Sequence, residues 1–265
     1  MRLNTFANLA SLLTILLALN FGIQDRKLLL GVGAPTSGGG GCDYAGLGTL
    51  SMWNKADAEA YNGPGSSLAT DGQTVQQWND QSGNARHASQ FLVGSRPIFR
   101  ASQVNGLPAL EFDGTDDFLI GDVSNLTQPN VLFVVAYENS ANVGHVFDGY
   151  DDGFGTVTRN LMGYISGNWC VFAGTIWQPT AVQQSAWKVR EAVFDGTSSK
   201  FLVNGTSYGT GNAGTQALDV QFVIGAGHGG APYFNGYIAE YLFYDSLSDT
   251  NRATVRDCLM ARYGL

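Results

Sequence analysis

The feature that most constrains this fold is a series of short apolar runs in the second half of the chain, each bounded by turn-forming residues. The runs are VLFVVAYE (131–138), WCVFAGTIW (169–177), WKVREAVFDG (187–196), SKFLVNGTSYGTG (199–211), VQFVIGAG (220–227) and GYIAEYLFYD (236–245). Such runs are typical of strands, and the Asn204-Gly205 step is a strong hairpin signal. Long helical patterns between the runs are absent from the sequence. The sequence therefore predicts an all-β, two-sheet antiparallel sandwich or jelly roll, not a parallel α/β sheet.

The composition agrees with this fold and narrows the ligand classes. The chain has 35 glycines and 12% aromatic residues, as expected for a β protein with many tight turns and a packed core. Charged residues are only 14%, where about 25% is usual. The net charge is −8, and the sequence contains no Lys/Arg cluster. Because binding to phosphate backbones needs a positive surface, we do not expect a nucleic-acid ligand.

The last residues predict a short C-terminal helix. Ser248 stands at an N-cap position, Val255 and Leu259 are spaced i to i+4, and Gly264 stands where a C-cap belongs. We expect this helix to lie across the mouth or the edge of the sandwich.

Residues 1–30 form an apolar segment with several interpretations. Between Leu9 and Ile23 the 15 positions are almost all apolar, which is short for a spanning helix of about 20 residues. The segment is read as a helical appendage buried against partner chains, as a membrane-associated anchor, or as a signal peptide with a poor cleavage region. The predicted anchoring residues are Leu9, Leu13, Leu16, Leu17 and Phe21. Residues 31–48 read as a glycine-rich linker, and 49–265 as the globular domain.

The three cysteines leave two states open. No C-x-x-C pair occurs, so a structural zinc site is not predicted. The chain forms either one disulfide with one free thiol, or three buried thiols. If a bridge exists, we favour Cys42 to Cys258, because the two ends of a closed sandwich often lie close together.

Three segments resemble laminin-G-like, concanavalin A-like lectin/glucanase jelly-roll domains of phage and bacterial surface proteins. They are VQQWNDQSGNARHASQ (75–90), GLPALEFDGTDDFLI (106–120) and FNGYIAEYLFYDSLSDTNRATVRDCLMARYGL (234–265). The resemblance implies a jelly roll over about residues 49–265. It does not imply one activity, because this fold carries lectins, hydrolases and structural domains. The leader DRKLLLGVGA with the following glycine run also resembles leaders of phage structural proteins.

One pattern in this region is similar to a catalytic one. Glu111 and Asp113 share a strand face, like the carboxylates of jelly-roll glucanases. Asp116, however, stands where those enzymes have Glu, and Gly114 interrupts the strand. We therefore interpret the pattern as a core strand and its turn, with Phe112 and Phe118 pointing inward, and predict no catalytic residue and no enzyme. The histidines, His87, His145 and His228, lie in separate segments without metal-ligand spacing.

The sequence also contains candidate residues for binding a glycan or a calcium ion. Glycan sites combine aromatic platforms with polar groups on loops; the candidates are Tyr150, Trp169, Trp177, Tyr233, His228 and Asn235. The sequence indicates no cofactor except a possible calcium ion. The candidate calcium site lies in the 147–155 loop, at Asp148, Asp151 and Asp152. A second acidic group comprises Asp113, Asp116 and Asp117.

These features favour a virion surface protein of decoration, fibre or spike type, forming a homo-oligomer. The apolar segment would contact other virion subunits, and the jelly roll would bind host-surface glycans. The alternative is a secreted or envelope-anchored bacterial carbohydrate-binding protein with a processed leader. A glycoside hydrolase is the least favoured interpretation.

Overall fold

The computed structural model describes residues 42–63, 67–139, 144–150, 158–180 and 185–265. A compact unit spans Cys42–Leu265. The predicted N-terminal appendage lies outside the described residues, with its anchoring residues Leu9, Leu13, Leu16, Leu17 and Phe21. Asp151 and Asp152 also lie outside them. No helix within the described ranges is long and apolar enough to cross a bilayer.

Seventeen strands in the described ranges form two antiparallel sheets. The first sheet contains β1 (Thr49–Lys55), β5 (Ile98–Val104), β6 (Leu107–Asp113), β8 (Asn130–Glu138), β13 (Lys188–Phe194), β14 (Ser199–Val203), β15 (Thr206–Gly211) and β17 (Asn235–Ser246). The second contains β2 (Ala60–Tyr61), β3 (Gln77–Trp78), β4 (Ala88–Ser89), β7 (Leu119–Leu126), β9 (His145–Gly149), β10 (Leu161–Ile165), β11 (Asn168–Phe172), β12 (Ile176–Trp177) and β16 (Leu218–Ile224). The predicted all-β sandwich is confirmed.

Strands distant in sequence are neighbours in both sheets, as in a jelly roll. The first sheet runs β15-β14-β13-β8-β17-β6-β5, with β1 pairing β17. The second runs β12-β11-β10-β9-β16-β7-β4-β3-β2. The predicted hairpin at Asn204-Gly205 joins β14 to β15 and has φ of +44° and +79° at its two central residues. Those positive angles are the ones a tight two-residue hairpin requires.

The central strand β8 explains why its sequence is apolar without alternation. Leu132, Val134 and Ala136 face the core between the two sheets, where residues of both sheets meet. Phe133 and Val135 face the other way, into a second cluster beneath the C-terminal helix. Because successive side chains of a strand point to opposite faces, a strand covered on both sides needs an unbroken apolar run.

The C-terminal helix α1 (Asp249–Tyr263) has the predicted caps. The Ser248 side chain accepts a hydrogen bond from the Asn251 amide, and Gly264 adopts the left-handed conformation. Its predicted place is wrong: Val255 and Leu259 pack on the outer face of the first sheet, and not across a mouth or an edge. The outer sides of β8 and β17 are apolar and need this cover.

Covalent and ionic contacts fix this helix to the sheet. Cys42 and Cys258 form a disulfide with their Cα atoms 6.1 Å apart, which confirms the favoured pair. Cys170 is a buried free thiol. The fully buried carboxylate of Glu191 on β13 binds Arg252 and Arg256 of α1.

Candidate functional site

Three half-buried aromatic side chains lie in a row beside the turn between β6 and β7. The ring of Phe118 lies 6.4 Å from that of Tyr150 and 6.2 Å from that of Tyr233, between centroids. We call Tyr150, Phe118 and Tyr233 the aromatic row. The structure thus brings together two of the predicted glycan residues, which are 83 positions apart in the sequence. The predicted inward position is correct for Phe112, which is fully buried, and wrong for Phe118.

A cleft of about 680 Å³ adjoins the aromatic row. Its polar lining includes His145, Arg159, Tyr164 and His228. Tyr233 joins the row to the cleft, because it follows the cleft residue Pro232 and its carbonyl accepts a hydrogen bond of 3.1 Å from the Gly144 amide. His228 is therefore a predicted residue that the structure places at this site.

The buried carboxylate of Asp148 organises the cleft from behind. Phe147 packs in the core between the sheets, so its neighbour Asp148 points to the outer face of the second sheet. Both Asp148 oxygens accept from Arg159, at 2.9 Å from Nε and 2.5 Å from Nη2. The His228 amide donates to Asp148 Oδ2 at 3.1 Å, and His145 Nδ1 lies 3.2 Å from the same oxygen. One fully buried carboxylate therefore positions three groups of the site.

Two residues of the predicted calcium site, Asp151 and Asp152, lie outside the described ranges. Asp148 itself offers no open carboxylate: both oxygens are bound by the Arg159 guanidinium. A cation at Asp148 would have to displace that guanidinium.

The second acidic group forms the turn after β6. Carboxylate oxygens of Asp113, Asp116 and Asp117 lie within 4.8 Å of one another. Asp113 Oδ1 accepts from the Thr115 and Asp116 amides, and Asp117 Oδ2 accepts from the Asp113 amide at 3.1 Å. Burial raises the pKa of Asp117 to about 7, and the neighbouring charge of Asp113 adds to the shift. Apart from a hydrogen bond that Ser95 Oγ donates to Asp116 Oδ2 at 3.2 Å, the hydrogen bonds described for the group are those of a tight turn.

The two predicted tryptophans do not join the site. Trp169 is 1% exposed and packs on Tyr164, with ring centroids 4.7 Å apart, and on Phe201. Trp169 is therefore wrong as a ligand platform, because its ring has no free face. Trp177 lies on β12 and packs over Gly209 and Gly211 of β15. It closes the core at that sheet edge and shares no described contact with the aromatic row.

Asn235 lies at the border of the site. It pairs with Asp113 in the β17–β6 ladder, and its side-chain oxygen accepts from Asn139 at 3.0 Å. The third histidine, His87, lies in another loop, where its Nδ1 accepts from the Asp80 amide.

The carboxylate of Glu111, which is similar in position to a glucanase residue, is bound by its neighbours. Arg100 Nε lies 2.5 Å from one oxygen, and the Tyr237 hydroxyl donates to the other at 3.0 Å. The next carboxylate on the same face, Asp113, accepts turn amides. This arrangement supports the interpretation of the strand as structural.

Sequence reasoning missed Phe118, Arg159 and Tyr164. One signal was available for the arginine: Asp148 interrupts the buried strand HVFDG, and a buried carboxylate requires a cationic partner. Nothing in the sequence indicates that Arg159, and no other cation, supplies it.

Comparisons with known proteins agree with this fold. Residues 123–250 match a family model described as the concanavalin A-like lectin/glucanases superfamily, so the resemblance predicted from sequence is confirmed over that range. No curated protein sequence matches the chain.

Solved structures share the fold at low identity. Domain 4 of AbnA, an extracellular GH43 arabinanase from Geobacillus stearothermophilus in complex with arabinotriose, aligns with a TM-score of 0.54 and 13% identity over 80% of this chain and 98% of that domain. An arabinofuranosidase complexed with arabinofuranosyl-alpha-1,2-xylobiose aligns with a TM-score of 0.53 and 12% identity over 74% of this chain and 52% of its own. Trypanosoma rangeli sialidase in complex with the inhibitor DANA aligns with a TM-score of 0.50 and 14% identity over 95% of this chain and 39% of its own.

Proposed function

We propose that the jelly-roll domain binds a saccharide through the aromatic row and the adjoining cleft. The observation that carries this proposal is the junction of the two at Tyr233. A sugar presents an apolar C–H face and a rim of hydroxyl groups. Aromatic rings suit the apolar face, and the polar groups of His145, Arg159 and His228 suit the hydroxyl groups. The arabinotriose complex of the AbnA domain supports the proposal.

Binding to an oligosaccharide array, followed by calorimetric titration of the strongest binders, tests the proposal. The array includes arabinotriose and xylo-oligosaccharides. Tyr233→Ala should weaken binding about tenfold, which corresponds to about 1.4 kcal/mol. Tyr61→Ala is the matched control, because Tyr61 is half-buried on β2, outside the row and the cleft. Equal binding by wild type and Tyr233→Ala, or no saccharide bound above an unrelated protein, would overturn the proposal.

The proposed activity is binding without turnover. The bonds of Glu111 to Arg100 and Tyr237 support this part of the proposal. Incubation of the protein with the bound saccharide, followed by analysis of chain length, should show no shorter products. Shorter products that disappear in Glu111→Gln would instead indicate a glycosidase.

We further propose that the protein is a homo-oligomer displayed on a virion surface, attached to other subunits through residues 1–30. The apolar run in that segment supports this placement. A chain that begins at residue 41 should fail to incorporate into particles, and normal incorporation would contradict it. N-terminal sequencing of the native protein tests the alternative, since a start near residue 20–25 favours a secreted or envelope-anchored protein.

A further inference from the structure

We infer that the cleft selects saccharides that carry an anionic group, a carboxylate or a sulfate ester. This inference rests on the proposed function and specifies its ligand class. Three side chains that can carry positive charge, His145, Arg159 and His228, line the cleft, and the lining contains no acidic side chain in the described ranges. This distribution stands out in a chain with 14 Lys and Arg against 22 Asp and Glu.

The donors of the cleft are oriented before any ligand binds. Asp148 accepts hydrogen bonds from Nε and Nη2 of Arg159, and Nη1 has no hydrogen-bond partner in the described ranges. His145 directs Nδ1 to the same carboxylate, and its Nε2 likewise has no partner there. Hydrogen bonds from ionised donors to an oxyanion are stronger than neutral ones, and a fixed donor loses little entropy on binding.

Asp148 does not present its charge to the ligand. Its side chain is fully buried, and its two oxygens already accept from Arg159 and from the His228 and Gly149 amides. The carboxylate therefore lies behind the donors of Arg159, His145 and His228 and positions them.

Two glycines hold the His145 ring in place. A Cβ added at Gly163 would lie 2.6 Å from His145 Cδ2, and one at Gly227 would lie 3.1 Å from His145 Nδ1. A larger residue at position 163 would push the imidazole from its present orientation, whereas one at position 227 would first meet the Ala231 carbonyl oxygen, at 2.6 Å. The ring is thus packed closely on two sides.

Calorimetric titration with matched saccharides tests the inference. The probes are a galacturonic acid trimer, its fully methyl-esterified and therefore neutral form, and a sulfated galactose oligomer with its desulfated form. We expect at least one anionic probe to bind ten times or more tightly than its neutral counterpart. The carboxylated and sulfated arms identify which oxyanion is recognised.

The matched variants separate the cleft from general charge. Arg159→Gln alone would leave Asp148 buried without its cation, so the double variant Asp148→Asn/Arg159→Gln removes both charges and keeps the net charge. This double variant and, separately, His228→Ala should each lower affinity for the anionic probe at least tenfold and reduce the ratio of anionic to neutral affinity, because the neutral probe loses only hydrogen bonds to its hydroxyl groups. Lys200→Gln on β14 removes an exposed positive charge outside the cleft and should have no effect.

The outcomes are distinguishable. Equal binding of anionic and neutral probes would overturn the inference and leave the proposed function standing. Anionic preference that persists in both cleft variants would also overturn it. If none of these probes and no saccharide of the array binds, the proposed function fails, and the inference fails with it.

Discussion

The outer faces of the two sheets use buried carboxylates in different ways. Under helix α1, Glu191 binds two arginines, and Glu240 of β17 binds the Trp53 indole and the Tyr263 hydroxyl. Their partners belong to the first sheet or to the helix that covers it. On the second sheet, Asp148 also binds an arginine, but that arginine and the neighbouring His145 line a cleft. The first face is closed by the helix, whereas the arginine and the histidine on the second face line an open cleft.

The largest expected effect is on the helix-covered face. Glu191→Ala leaves the partly buried Arg252 and Arg256 without their carboxylate, and breaking a buried pair in this way costs about 3–5 kcal/mol. Urea denaturation measures the loss in the free energy of unfolding. Asp257→Ala is the control, because this helix residue is exposed, and should change stability by less than about 0.5 kcal/mol. A small loss for Glu191→Ala would show that the face does not depend on this pair.

The disulfide should have the next largest effect. Replacing Cys42 and Cys258 together by serine removes a link between residues 216 positions apart. Loss of a native disulfide typically costs about 2–5 kcal/mol. Thermal unfolding of the double variant should show a lower midpoint, while saccharide affinity at 25 °C stays within twofold. A large loss of affinity in the folded variant would show that the two faces are coupled.

The free energy of unfolding should depend on pH through Asp117, in the turn beside the aromatic row. The pKa of Asp117 is raised from 3.8 to about 7, so the folded state holds a proton that the unfolded state releases. The resulting stability is complete below about pH 4 and is lost as the pH rises towards 7. The free energy of unfolding of Asp117→Asn, relative to that of wild type, should therefore increase by about 1–2 kcal/mol between pH 4.5 and 7.5. Equal pH profiles from urea denaturation of the two proteins would contradict this.

A specific effect on binding, together with a modest loss of stability, should come from Gly163→Ala. The added methyl group meets the His145 ring at 2.6 Å, and overpacking of this kind costs about 1–3 kcal/mol. Calorimetry should show at least fivefold weaker binding of the anionic saccharide. Gly94→Ala is the control, since a Cβ there meets nothing within 4 Å. Unchanged affinity in Gly163→Ala would show that the orientation of His145 is irrelevant.

Short stretches of sequence were enough to predict the strands, the hairpin and the C-terminal helix. The apolar run of β8, the Asn204-Gly205 hairpin and the caps at Ser248 and Gly264 each carry their information within a few residues. The position of α1 was missed because it depends on which sheet face lacks cover. That question is decided by the apolar outer sides of two strands, β8 and β17, that are far apart in the sequence.

The site was less accessible from sequence, for two physical reasons. Trp169 was misassigned because the run WCVF does not reveal which of its alternate residues faces the core. In the structure Trp169 pairs with Tyr164 in the β10–β11 hairpin, and both side chains lie in the core between the sheets. Arg159 was missed because the partner of a buried carboxylate is set by tertiary structure. Tyr150 and Tyr233 were proposed separately, and Phe118, the ring between them, was assigned to the core.

The most direct test of the central claim, that the second sheet carries the binding face, is an amide chemical-shift map of the isotope-labelled protein with its tightest-binding saccharide. The account predicts shifts at His145, Arg159, Tyr164, His228 and Tyr233, and none at Arg252 or Arg256 on helix α1. Shifts concentrated on the helix and the first sheet, with the cleft residues unchanged, would contradict it.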